Sequence, residues 1–285
     1  MNKAKANNAK AAGSWIVAVV VVVVVVAAGV YLARRALHPG AAPAETASSP
    51  AASTSAGAAE TPIQHPVGAA QTGPASASTA PLPALDDSDA QVAEALAALA
   101  GGERLRSVLV PNRIVARIVA TIDALPRHGG LGASVLPAQT PKGAFLTTDA
   151  TGSTVMANEN AARYAPYMAL VEDADPQALV AWYVHAYPLF QEAYRQLGYP
   201  KGYFNDRLIV VIDDLLAAPD LAQPAALQRS KAYYVYADPA MESLSTGQKL
   251  LLRLGPANEA KVKAKLRAIR ASLVGQKLPA ASTTK

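Results

Sequence analysis

The chain has 285 residues, of which 51% are hydrophobic and 16% charged; it has no cysteine and a formal net charge of +5. Without Cys, disulfides, thiol nucleophiles and Cys-based zinc sites are excluded. The positive charge is unevenly placed. Residues 86–248 hold 18 Asp/Glu and 12 Lys/Arg, whereas 249–285 hold nine Lys/Arg and the single acid Glu259. An acidic body with a basic end is not the dominant basic face of a nucleic-acid binder, so no nucleic acid is expected as partner.

Residues 1–14 form a short basic tail with Lys3, Lys5 and Lys10. Trp15 to Ala33 follows without a charge and contains an unbroken valine run from Val19 to Val26. At about 1.5 Å per residue, a helix of this length spans the roughly 30 Å hydrocarbon core. Within lipid a single span must pair its backbone internally, so a transmembrane helix in the bilayer is predicted. Trp15 and Tyr31 sit near its ends, and Arg34 and Arg35 close it. A cleavable signal peptide is the rival reading, with small-residue sites such as Ala42-Pro43-Ala44, although its apolar core is usually shorter, about 7–15 residues. No Lys or Arg occurs from Ala36 to Glu103. The positive-inside rule therefore places the N-terminus in the cytoplasm and the C-terminal domain in the periplasm.

Residues 34–84 are rich in Ala, Pro, Ser, Thr and Gly. They carry too few large apolar groups to offset the entropy of ordering, which predicts a disordered linker. Its reach is roughly 35–40 Å. Residues 85–277 are long enough for one domain with a core, and 278–285 read as a disordered tail.

Within the domain, Asp86, Asp87 and Asp89 precede Val92, Leu96 and Leu99 on one helical face. The acid cluster is not a calcium loop: counted from Asp87, Val92 stands where Gly is required and Ala98 where Glu is required. Ile114, Ile118, Ile122 and Leu125 make a second stripe, ended by Pro126. Phe145 to Met156 reads as a small hairpin around Asp149 to Gly152. Asn158 to Glu172 predicts a helix. Asp175-Pro176 then starts another through Leu179, Trp182, Ala186, Phe190, Ala193 and Leu197, the strongest buried-helix pattern in the chain. Pro188 predicts a kink in it. Leu208, Ile212 and Leu215 share a face, and Tyr233 to Tyr236 reads as a short strand or a packed linker. Asp238-Pro239, Thr246 to Leu254, and Pro256 to Leu273 begin or span the last helices. The expected fold is mainly α: seven or eight helices in one multi-helix globular domain, with at most one small β-hairpin.

Five motifs occur in one order. They are Leu125-Pro126-Arg127, Arg163-Tyr164-Ala165-Pro166-Tyr167, Tyr187-Pro188-Leu189-Phe190-Gln191-Glu192-Ala193-Tyr194, Asn205-Asp206-Arg207-Leu208 and Gly247-Gln248-Lys249-Leu250-Leu251-Leu252-Arg253. Together they resemble domain of unknown function family 3014, a group of membrane-anchored proteobacterial proteins, over roughly Leu85 to Leu273. The resemblance implies an envelope location and the order tail, anchor, linker, domain. It supplies no catalytic residue.

No His pair has metal-ligand spacing and no His-Glu-x-x-His occurs, so neither a metal nor a cofactor is read from the chain. His185 lies mid-helix beside Trp182. Asp206 and Asp213 share a helical face about 10.5 Å apart. Paired carboxylates do glycosidase work at separations of about 5–9 Å; the alternative is a network in which Asp206, Arg207 or Arg163 locks helices together. Arg163, Tyr164, Tyr167, Asp206, Arg207, Lys249 and Arg253 are the candidate binding residues. Ten of the eleven tyrosines fall between Tyr164 and Tyr236, as core or as aromatic anchors for a ligand. Lys261, Lys263, Lys265, Arg267 and Arg270 make the last helix basic, to be paired internally or offered to anionic lipid.

The resulting expectation is a non-enzymatic, single-pass inner-membrane protein whose periplasmic helical domain binds another envelope component. Two alternatives stay open: a glycan-acting hydrolase using Asp206 or Asp213, and a cytoplasm-facing adaptor of reversed topology.

Overall fold

The computed structural model describes residues 62–70, 81–129, 131–150, 152–230 and 233–275. The predicted span Trp15 to Ala33 and both terminal tails lie outside them, as does most of the predicted linker. Among the described residues no helix is long and apolar enough to cross a membrane.

Nine α-helices are present among the described residues: α1 Asp89–Leu99, α2 Glu103–Val108, α3 Ile114–Ala124, α4 Ala165–Asp173, α5 Pro176–Gln196, α6 Phe204–Leu216, α7 Pro239–Glu242, α8 Thr246–Leu254 and α9 Pro256–Leu273. The mainly α expectation holds. There are two hairpins, however, instead of at most one. β1 Thr147–Ala150 pairs antiparallel with β2 Ser153–Met156, and β3 Leu227–Ser230 with β4 Tyr233–Tyr236. An isolated bridge from Val155 to Ala226 brings the two hairpins together. The second was hidden because Leu-Gln-Arg-Ser lacks β-branched residues and the sequence between it and Tyr233 offers no Gly or Asn.

Local rules set most helix starts. Asp175 accepts from the N–H groups of Gln177 and Ala178 at 2.8 Å each, with Pro176 in the first turn. Ser245 and Gln248 form a capping box on α8. Asp89 serves a different helix from the one it begins. Its carboxylate accepts from Arg113 N and Ile114 N at 2.6 and 2.7 Å, capping α3 where Arg113 turns left-handed at φ 51°. The expected helix from Asn158 divides: Asn158–Tyr164 is 3-10 and α4 follows, with Pro166 in its first turn where its missing N–H costs nothing.

α5 lies at the centre, packed on α3, α6 and α9. Its predicted stripe is buried at Leu179, Trp182, Ala186, Phe190 and Ala193, while Leu197 at the C-cap is exposed. Pro188 sits inside a continuous helix. Phe190 stacks on Phe204 of α6 at 5.9 Å, and Tyr183, Trp182 and Tyr194 crowd round that pair. Tyr183 is fully buried, and its hydroxyl donates to Asn205 Oδ1 at 3.1 Å. Gln191 fixes the α5–α6 turn, donating to Gly202 O and accepting from Phe204 N.

α6 and α9 run antiparallel. Arg270 holds Asp213 at one level, and Lys263 bonds Ala218 O and Asp220 farther along. Most of the basic stripe on α9 is paired within the domain: Lys261 with Glu172, Lys265 with the Ala174 carbonyl, Arg270 with Asp213. Lys263 is buried.

The linker expectation changes at 62–70. This segment lies against the domain as a strap. Asp206 accepts from Gln64 N and His65 N at 3.0 and 2.7 Å, Tyr203 accepts from Val67 N, and Asn205 donates to His65 O. Val67 and Ala70 pack on the core. The sequence hides this because the strap contributes backbone groups, which composition does not register.

Asp123, on α3 and only 4% exposed, gathers Arg127, the Tyr199 hydroxyl and Arg207 of α6; Arg207 also donates to the Asp123 carbonyl at 2.6 Å. Removing one partner of a buried pair leaves the other uncompensated. Asp123→Ala is therefore expected to destabilise by about 3 kcal/mol, at the low end for buried pairs because Arg127 is half exposed. Equilibrium urea unfolding checks this as a lower midpoint at unchanged slope.

His185 Nε2 is buried without a hydrogen-bond partner beside Leu82, Pro83 and Trp182. Burial lowers its pKa below 6.5. The unfolded chain then takes up a proton that the folded chain refuses, so stability is expected to decline as pH falls below 6.5, down to the folded-state pKa. His185→Gln should remove that slope in thermal melts taken across this range.

Candidate functional site

A cleft of about 580 Å³ opens where both hairpins meet the α8–α9 junction. Volumes of 300–1,000 Å³ are typical of ligand sites. One wall is Gly143–Phe145 with Arg163, and another is the segment 221–225 after α6. β4 supplies Tyr233, Tyr234 and Tyr236, and the floor includes Leu252, Leu254 and Pro256. Phe145 and Tyr234 approach at 5.9 Å across it. Gly255 permits the sharp break between α8 and α9 with φ at 82°, a conformation most side chains resist.

Arg163, at the end of the 3-10 turn, and Arg253, on α8, both line the cleft although 90 residues separate them. Arg163 Nε donates to Lys142 O at 3.3 Å and Nη1 to Asn160 Oδ1 at 3.5 Å, while its guanidinium lies 5.7 Å from the Tyr164 ring. Both contacts are long, and they engage two of the five N–H groups of the guanidinium. Tyr164 lies behind, buried. Burial raises its hydroxyl pKa, and the nearby charges of Arg163 and Arg253 oppose the rise. Burial likewise pushes Tyr236 up to about 12, against the pull of Arg253. Neither tyrosine ionises near neutral pH, so both serve as neutral hydroxyls.

The acids around the cleft are held by lysines. Lys249 donates to Glu242 O and Oε1 at 2.8 and 2.9 Å, and Glu242 accepts from Tyr236 N. Burial pushes the Glu242 carboxyl up, but these bonds outweigh it and hold it below its ordinary range. Glu259 lines the cleft, only 3% exposed, with Oε1 2.8 Å from Lys263 Nζ. That contact is an ion pair whose angle is poor for a hydrogen bond. Burial raises the Glu259 carboxyl more than Lys263 lowers it. Lys263 is itself raised: desolvation pulls it down, and Asp220 and Glu259 together overcome that.

The candidate residues thus divide into separate groups. Arg163, Tyr164 and Arg253 come together at the cleft, with Lys249 beside it. Tyr167 is apart, its hydroxyl donating to Gln139 O at 2.8 Å. Arg207 belongs to the Asp123 network. Asp206 is taken up by the strap, and Asp213 accepts from Arg270 Nε and, at 3.0 Å, from Nη2. Among the described residues no group of three His, Cys, Asp or Glu is arranged to hold a metal.

Sequence reasoning passed over Asp123, Glu242, Glu259 and the strap. Asp123 did carry a signal, the opposite charge of Arg127 four residues on, although Arg127 lies past the end of α3. Glu259 and Lys263 repeat it. The strap carried none.

Among the described residues these features define a helical domain with two hairpins and a ligand-sized cleft bearing two arginines. The chain belongs to the family described as protein of unknown function (DUF3014), whose model matches residues 114–270. That range holds both cleft arginines, Asp206 and Asp213, and leaves the strap and the first two helices outside. No curated protein and no solved structure matches the chain.

If Asp206 is the clasp of the strap, Asp206→Ala should speed hydrogen exchange at the Gln64 and His65 amides by about tenfold, the value of a charge-assisted bond. Exchange at the α5 amides should not change. Mass-spectrometric exchange on the full chain reads both.

Proposed function

We propose that this is a membrane-tethered binding module: a single-pass inner-membrane protein, anchored through Trp15 to Ala33, whose periplasmic helical domain captures another envelope component in the cleft. The carrying observation is the cleft itself, with apolar floor, aromatic wall and paired arginines at a size that fits a ligand. The hydrolase alternative draws less support, because Asp206 and Asp213 are engaged by the strap and by Arg270.

Placement of the strap favours the same reading. Gly275, just past α9, abuts Ala69 of the strap, whereas the cleft takes residues 255–259 at the start of α9. Eighteen helical residues measure about 27 Å. The strap contact and the cleft lie at opposite ends of α9, so the clasped chain leaves the cleft uncovered.

The test is a photocrosslinking amino acid at Tyr234 in the full-length chain within native membranes, with the exposed Val210 of α6 as the control position. The expected outcome is one recurring partner from position 234 and none from 210. A partner exposed to the periplasm supports the orientation. A cytoplasmic partner would reverse it, and equal labelling from both positions would remove the cleft from the proposal.

A further inference from the structure

Apart from the cleft, we infer that Tyr203, Asn205 and Asp206 form a second binding site, which takes a short peptide segment through its main chain. The strap is its resident, displaceable occupant. The bonding pattern is that of peptide recognition. Asp206 accepts from the successive N–H groups of Gln64 and His65 at 3.0 and 2.7 Å, and Asn205 Nδ2 donates to His65 O at 2.8 Å. The Tyr203 hydroxyl accepts from Val67 N at 2.7 Å. Pro66 has no N–H, so every main-chain N–H from Gln64 to Val67 is engaged. All four of these bonds go to the main chain of the strap, and the carboxylate makes two of them charge-assisted. The backbone bends at Gln64 and His65, is extended at Pro66 and closes in a 3-10 turn over Val67–Ala69. A separate segment of that backbone shape can make the same bonds.

The site is built by the packing of the domain itself. Asn205 is fully buried, and its side-chain oxygen accepts from the Tyr183 hydroxyl within the aromatic cluster. Tyr203 packs on Tyr187 with ring centroids 5.4 Å apart, and Asp206 stands in the first turn of α6. Groups held in advance by a core cost little to order on binding. The occupant, by contrast, is held lightly. Most strap residues are exposed, Ile63 at 54%, while Val67 and Ala70 pack against the core. Site and occupant are also separate along the chain: the family match takes in Tyr203, Asn205 and Asp206 and leaves 62–70 outside. A segment bound in this way is an intramolecular ligand. Its advantage over a free peptide is an effective concentration on the order of millimolar.

The probe is an N-acetylated, C-amidated peptide of residues 62–70, offered to the full-length chain in which the strap is replaced by Gly and Ser at equal length. It should bind that chain at least about tenfold more tightly than the unaltered one, where the resident strap competes. Asp206→Ala in the replaced chain should weaken binding by about tenfold, and so should methylation of the Gln64 or His65 amide nitrogen of the peptide. Gln64→Ala and His65→Ala in the peptide should change binding by less than about threefold, because no bond to the site comes from those side chains. If the replaced chain does not fold, the unaltered chain answers the question. Peptide at about 10 mM, above the effective concentration of the strap, should speed hydrogen exchange at the resident Gln64 and His65 amides; unchanged exchange there overturns the inference. Absence of binding to the folded, replaced chain overturns it too, as does equal binding to both chains. Loss of binding on the two Ala substitutions overturns recognition through the main chain.

Discussion

Lys263 is the constraint on which the working end of the domain depends. Its ammonium is buried at 1% exposure, donates to the Ala218 carbonyl and Asp220 at 2.7 Å each, and pairs with Glu259 one turn back on α9. Taking an ammonium out of water is costly, and only a full set of acceptors makes it tolerable. The arrangement works because the chain leaving α6 is folded back over α9 at that point. Since segment 221–225 follows directly, the clamp that satisfies Lys263 also sets one wall of the cleft and the buried position of Glu259. Packing and site are therefore one problem here.

From that clamp the antiparallel alignment of α6 and α9 carries through to the opposite end, where Arg270 grips Asp213 and the strap closes on Tyr203, Asn205 and Asp206. Asn205 joins the strap to the core: its amide donates to His65 O while its oxygen accepts from Tyr183, a hydroxyl surrounded by the aromatic cluster of α5 and α6. Capture of the strap thus rests on packing that the domain needs in any case. The strap, clasped by a few hydrogen bonds, is released at lower cost than the fold itself, because most of its residues are exposed.

Much of the fold was legible because helices with a buried face write a 3.6-residue period into the chain. Val262, Leu266, Ile269 and Leu273 recur at three- and four-residue steps, and all are at most 1% exposed. Leu208, Ile212 and Leu215 behave in the same way. The Asp175-Pro176 start, which has its own chemistry, is read equally well. α2 and the second hairpin escape for a common reason: elements of six and four residues are too short to establish a period, and their stability is supplied by neighbours.

What the sequence by itself determined is the mainly α class, the order of the long helices and the family, since each depends on residues near one another along the chain. It also marked Arg163, Tyr164 and Arg253 as residues of interest, without a place to put them. Only the tertiary structure decided that two arginines 90 residues apart share a cleft, and that Asp206 clasps a strap some 140 residues before it. Asp89 caps the neighbouring helix, and Lys263 turns inward from a basic stripe, for the same reason. Caps, clasps and buried ion pairs are made by any donor and acceptor that folding brings within about 3 Å, and no period or spacing along the chain encodes such an encounter.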